Sequence, residues 1–247
     1  MVNKEHPKIN NCDSYSNPEI VEYYFDLNNR HLFKYEEALI DKYFGVGGKV
    51  LDIGCGAGRT TLPLGRKGYD VIGLDYSKAM IERAKTSNHY SNVRYTVQDI
   101  INTSFNDNEF DNALFSFNGL MLIYPLDNRI KAMCEISRII KPGGLLIFTT
   151  PFLDNKLDKP YWKQKINSYR IANEALTKED YIIIGDEIIN DNENDFFIHI
   201  PMIEEVKEMI TKSGFSVVLN KRRLDLFSEE INEEELDDNY IWVVENE

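Results

Sequence analysis

From residue 49 to residue 150, short apolar runs recur along the chain: "KVLDI", "DVIGL", "VRYTV", "FDNALFSF" and "GLLIFTT". Each has the length of a single strand. Amphipathic stretches read as helices separate them, starting near Ala57, Ser77 and Leu126. This alternation leaves a chain few options. Parallel strands need crossover connections, and the crossover helices cover both faces of the sheet. The prediction is an α/β fold built on a mostly parallel sheet.

The flanks differ. Between Pro18 and Phe44, apolar side chains such as Ile20, Tyr24, Leu27, Tyr35 and Leu39 recur at three- and four-residue steps, which predicts helix until "GVGG" stops it. After Pro151 the rhythm breaks. Residues 152 to 199 are polar, aromatic and irregular in pattern, too long for an ordinary connection and suited to a lid. Alternation then returns with a helix in "PMIEEVKEMITKSG" and strands in "FSVVLNKRR" and "YIWVVEN", separated by the acidic stretch "SEEINEEELDD". The expected organisation is one domain over 1–247: an N-terminal helical cap to residue 44, a core at 45–150, a lid insert at 151–200, and a closing helix and strands at 201–247.

Composition narrows the functional classes. With 43% hydrophobic and 12% aromatic residues the chain can bury a proper core. No run reaches the length of a membrane span, and the first twenty residues hold no apolar stretch of the kind a signal peptide needs. Three scattered cysteines, Cys12, Cys55 and Cys134, suit a reducing cytoplasm better than a disulfide framework or a metal site. The net charge of −13 argues against a nucleic-acid partner, because a phosphate backbone calls for a basic face.

The first strand runs into "IGCGAG", a loop with glycine at positions 54, 56 and 58. Between a buried strand and a helix N-terminus, such a loop lets backbone approach a ligand with no Cβ in the way. No Gly-Lys-Ser/Thr follows, which excludes a P-loop. A dinucleotide fingerprint fails too: its third glycine would fall on Arg59 or Thr61. Asp52, just before the loop, suits a ligand carrying positive charge. Asp75 ends the second strand, where an acid accepts from ribose hydroxyls. Asp99 ends the third, where it could accept from an adenine amine. An amine, a ribose and an adenine together describe S-adenosylmethionine.

The segments "VLDIGCGAGRTTLPL", "GLDYSKAMIERA", "VQDI", "FDNALFSFNGL" and "EISRIIKPGGLLIFTT" resemble the successive motifs of class I S-adenosylmethionine-dependent methyltransferases. The resemblance is strong over 45–150 and topological over 200–245. It implies a Rossmann-like sheet of seven strands, the last antiparallel and inserted between the fifth and sixth. It further implies that Asp52 and Gly54 face the methionine end of the cofactor, Cys55 and Gly56 line the turn, and Gly58 permits close helix packing. Arg59 and Thr60 would reach the methionine carboxylate. Asp75 would take the ribose, Tyr76 and Met80 would flank the adenine, and Asp99 with the backbone of Ile100 would take its edge. Phe117, Asn118 and Gly119 would sit beneath the sulfonium.

Such chemistry needs no covalent protein intermediate; its chief demand is alignment, which can contribute roughly 7 to 11 kcal/mol. The fourth strand ends in "SFNGL", without the Pro-Pro-aromatic of exocyclic-amine methyltransferases. Neither Cys12 nor Cys134 follows a proline, as a cytosine-ring nucleophile would, and no acid set for magnesium accompanies Asp99. The expected acceptor is a small molecule methylated at O, N or C, with S-adenosylhomocysteine as the second product. A tRNA or protein acceptor, or cofactor binding without catalysis, are the alternatives. Candidate bases are His31, His199, Tyr24 and Glu36. Tyr23 and Tyr24 equally suit aromatic cover for a sulfonium, an attraction of roughly 0.5 to 2 kcal/mol.

Overall fold

The computed structural model describes residues 11–26, 31–153, 160–173, 184–191, 194–227 and 239–247. In chain order, α1 (Asn11–Ser14), α2 (Pro18–Asp26) and α3 (Lys34–Tyr43) precede β1 (Lys49–Ile53). The core continues with α4 (Thr61–Arg66), β2 (Asp70–Asp75), α5 (Lys78–Thr86), β3 (Val93–Val97) and β4 (Phe110–Phe115). A 3-10 turn (Gly119–Leu122) leads to α6 (Leu126–Ile139) and β5 (Ile140–Thr150). The rest comprises α7 (Pro160–Asn173), β6 (Asp186–Asp191), β7 (Asn194–His199), α8 (Ile203–Lys212), β8 (Phe215–Arg222), α9 (Arg223–Leu226) and β9 (Tyr240–Asn246).

Seven strands form one sheet in the order β3-β2-β1-β4-β5-β9-β8. β9 runs antiparallel to both neighbours, so the other six share one direction. This is the Rossmann-like topology expected, with the last strand between the fifth and sixth of the sheet. Side-chain parity divides the core. In β1, Leu51 and Ile53 join the cluster beneath α6 and α8, while Val50 joins the one beneath α3 and α4. Trp242 and Val244 likewise face one cluster and Ile241 and Val243 the other. A sheet buried on both faces reads as continuous hydrophobic runs for this reason.

Three expectations change. The helix predicted over 18–44 is two helices, α2 and α3, with His31 between them in left-handed backbone at φ 62°. The helix after the glycine loop starts at Thr61 rather than near Ala57, because Gly56 (φ 52°) and Gly58 (φ 99°) hold the chain out of helical geometry. The insert is not irregular: it contains α7 and a two-stranded hairpin, β6–β7. The acidic stretch at 228–238 lies outside the described residues, as do residues 1–10, 154–159 and 174–183 of the predicted cap and lid.

Candidate functional site

A cavity of about 360 Å³ opens at the C-terminal ends of β1 to β4, the edge where α/β sheets bind ligands. Its floor is the glycine loop, where Gly54, Gly56, Arg59 and Thr60 line it. Gly56 is left-handed, and a Cβ on it would meet no atom within 4 Å, so the loop leaves the space above it clear. Gly58 serves packing: a Cβ there would lie 2.5 Å from the Tyr95 hydroxyl on β3. The close approach expected of Gly58 is therefore to a strand side chain.

Asp75 lies at the tip of β2, on the cavity wall and 7% exposed. Gly56 N donates to its Oδ2 at 2.9 Å and Ser77 N to its Oδ1 at 2.8 Å. The carboxylate keeps acceptor capacity for a ligand's hydroxyls. Burial pushes this carboxyl up to about 6, against the pull of those N–H groups. Ser77 also caps α5, its Oγ accepting from Met80 N at 3.3 Å. The cap holds Tyr76 and Met80 against the cavity. Cys55, Asp99, Ile100, Phe117 and Gly119 complete the predicted residues that line it.

Asp52 does not line the cavity. It shares the face of β1 that carries Val50, and Thr60 and Thr61 both donate to its Oδ2, at 2.7 and 2.6 Å. Burial pushes its carboxyl up to about 6 as well, against those two hydroxyl bonds. Its role is to fasten the loop to the strand, and its Oδ1 has no partner among the described residues. Asn118 is also outside the lining: its Nδ2 turns towards Asn239, and its backbone N donates to Thr149 Oγ1 at 3.0 Å. It does form, with Phe117, a pair of consecutive left-handed residues (φ 61° and 55°). That strained turn presents the Phe117 ring to the cavity.

Of the candidate bases, Tyr24 alone lines the cavity. It packs edge-on against Tyr15, a lining residue the sequence did not single out, at 5.6 Å. His31 is exposed on the far side of Arg59, which it meets only through its carbonyl, 3.2 Å from Arg59 Nη1. Glu36 is 2% exposed and grips Arg59 with both oxygens, at 2.7 and 2.8 Å; Ser116 donates to it too. The guanidinium is stacked over Phe33 at 4.4 Å and Phe117 at 5.3 Å. Burial alone would lower the Arg59 pKa, but the charge and bonds of Glu36 raise it. His199 is fully buried outside the cavity, each ring nitrogen facing a carboxylate.

The far wall consists of residues that no motif marked. Asn11, Leu122, Ile123, Tyr124 and Phe197 come together there. Asn11 joins three segments: its Nδ2 donates to Leu122 O and Phe197 O, each at 2.9 Å, and its Oδ1 accepts from Phe197 N at 2.8 Å.

Residues 51–148 match the family described as methyltransferase domain. Over those residues the chain has the pattern of a methyltransferase domain. It is similar to the demethylmenaquinone methyltransferase of Staphylococcus haemolyticus, 29% identical over 59% of this chain and 56% of that one. The 2-phytyl-1,4-naphtoquinone methyltransferase of Nostoc punctiforme is 29% identical over 69% of this chain and 73% of its own. The match spans from 42% to 56% of the length of the demethylmenaquinone methyltransferases it resembles. In fold, the methyltransferase domain and its flanks resemble a S-adenosylmethionine-dependent methyltransferase from Methanosarcina mazei, with a TM-score of 0.68 at 21% identity over 87% of this chain and 98% of the other. Domains of this family imply S-adenosylmethionine as cofactor, and the lining fits it: a cleared glycine cradle, and a buried carboxylate with lone pairs to spare.

Proposed function

We propose that the protein transfers a methyl group from S-adenosylmethionine to a small, uncharged acceptor through O, N or C. One observation carries this reading: a single cavity joins the glycine loop and Asp75 to an apolar and aromatic wall. When bound, the cofactor supplies a methyl group already activated on a sulfonium. Asp75 takes the ribose hydroxyls; Tyr76, Met80, Asp99 and the Ile100 backbone hold the adenine. The loop at Gly54 to Gly56 and Thr60 receives the methionine end. Arg59 contributes there through its charge and its Nε, since its terminal nitrogens already bond Glu36, Ser116 and the His31 carbonyl. Phe117 sits beneath the reacting centre, and Tyr24 with Tyr15 covers it and keeps water out.

No charged side chain stands on the wall of Leu122, Ile123, Tyr124 and Phe197, which favours a flat, apolar acceptor. Tyr24, on the lining, would have to be a phenolate to take a proton from it; as a phenol it can hydrogen-bond and orient it. The relatives' names make a 1,4-naphthoquinone the first acceptor to test, in its electron-rich reduced form. A nucleic acid fits less well. In the tight basic cluster at 220–223 both arginines are engaged in packing, Arg222 over Phe152 at 5.5 Å and Arg223, 4% exposed, over Tyr35, which leaves Lys221 as its exposed cation. No described helix is long and apolar enough to cross a membrane, and we place the protein in the cytoplasm.

Release of S-adenosylhomocysteine, measured against a panel of reduced naphthoquinones, phenols and amines, tests the reading. Turnover with a small acceptor and none with bulk tRNA is the expected result. Robust labelling of RNA at physiological salt, or cofactor binding with no turnover on any panel member, would replace it.

A further inference from the structure

The hairpin β6–β7 brings Phe197 to the cavity, and something must hold the hairpin in place. At its base the ring of His199 lies between two acids. Nδ1 is 2.7 Å from Asp186 Oδ1 on β6, and Nε2 is 2.8 Å from Glu205 Oε1 in the first turn of α8. An ionised carboxylate only accepts, so both ring nitrogens must carry hydrogen, and such a ring is an imidazolium. Its side chain is 0% exposed, and those of Asp186 and Glu205 are 13% and 30% exposed.

We propose that His199 is a positioning residue: as a buried cation it ties β6, β7 and α8 together and so fixes Phe197 on the cavity wall.

The charges around it agree. Arg129 on α6, 1% exposed, lies within electrostatic reach of His199 and both acids, and its Nη1 donates to Ile123 O on the cavity wall at 2.9 Å. Tyr124, whose ring meets Phe197 at 5.0 Å, lies within reach of Asp186 and Arg129. Two acids, one guanidinium and one imidazolium sum to zero; with a neutral ring, the buried group would carry a net negative charge. Burial and Arg129 lower the affinity of the ring for its proton, the bonds to Asp186 and Glu205 raise it, and the outcome lies above the ordinary histidine value. The sign follows. A raised value means that the tie is fully present below about 6.5 and is lost as pH rises through the folded value. A bare nitrogen lone pair would then face a carboxylate.

The test needs no methyl transfer and so stands apart from the proposed reaction. Nitrogen-15 spectra of the imidazole, assigned through loss of the signal in His199→Gln, should show both ring nitrogens protonated at pH 7. Protection factors for the amides of 194–199 should fall at least tenfold as the ring titrates, with the Phe197 amide, which bonds Asn11, among them. Those of β1 and β4 should hold. Glu205→Gln should shift the ring titration and the loss of protection to lower pH together. A ring already neutral at pH 7, or hairpin protection that ignores its titration, overturns the proposal. Should Glu205→Gln fail to fold, the wild-type titration decides alone.

Discussion

Asp75 carries the sharpest consequence of any single residue. Its carboxyl is pushed up to about 6 by burial, and hydroxyl donors from a bound ribose would favour its charged form. Binding of S-adenosylhomocysteine near pH 6 should therefore release protons, and affinity should weaken as pH falls below about 6. Calorimetry in buffers of different ionisation heat checks this: no proton release would remove Asp75 from the site. Asp75→Asn should abolish the pH effect and weaken binding by about 1.5 to 3 kcal/mol, as expected for bonds to a charged group. Stability has its own sign. Asp52 and Asp75 both hold their protons more tightly folded than unfolded, so their contribution declines as pH rises from about 3.8 through about 6. The pair of Glu36 and Arg59 behaves differently. Their side chains are 2% and 10% exposed, so Glu36→Ala strands a buried guanidinium and should cost about 3 to 5 kcal/mol in urea denaturation. Replacing both residues by apolar ones should recover most of that stability while leaving cofactor affinity impaired. A double variant that costs the sum of the two single ones would show that the pair is not coupled.

At the scale of elements, Asn11 has the widest reach. It bonds Phe197, 186 residues away, as one strand bonds another, and ties the turn after β4 to the same point. Asn11→Ala leaves those groups without a partner and should cost about 1 to 3 kcal/mol, with faster amide exchange in α1 and β7 but not in β1. Unchanged exchange in β7 would mean the hairpin is held by His199 and its acids alone. Asn11 also marks where the sequence stops being legible. Strands β1, β2, β4 and β5 could be read because burial on both faces leaves mainly apolar runs, and the loop because its glycines follow one of them. Asp75 and Asp99 could be read because a strand tip fixes where an acid points. Asn11, Tyr15, Phe197 and Arg129 gave no local signal. Their roles depend on contacts across the chain, and an isolated Asn or Phe looks the same in a loop as in a wall. His199 was visible as a residue but its surroundings were not, since Asp186 and Glu205, which face its nitrogens, lie 13 and 6 residues away in no recognisable spacing.

In the whole molecule, cavity and fold stability are linked. A ligand that binds only the folded chain stabilises it by about 2.7 kcal/mol at one hundred times its Kd. For a chain of this length that is a rise in Tm of roughly 5 to 11 °C, so S-adenosylhomocysteine should shift melting by that amount and NAD by nothing. A comparable shift with NAD would contradict the failed dinucleotide pattern at Arg59 and Thr61. The sheet order carries one more consequence, and it concerns synthesis. β9 lies between β5 and β8, so residues 240–246 join two strands already made. While the ribosome still holds them, β5 and β8 each present an unpaired edge, and Trp242, fully buried in the finished sheet, has not arrived. Emerging chains are therefore vulnerable to sticking to one another until residues 240–246 are free to pair. A chain lacking 240–246 should yield aggregate, whereas one that carries them closes its sheet with the seven-residue β9.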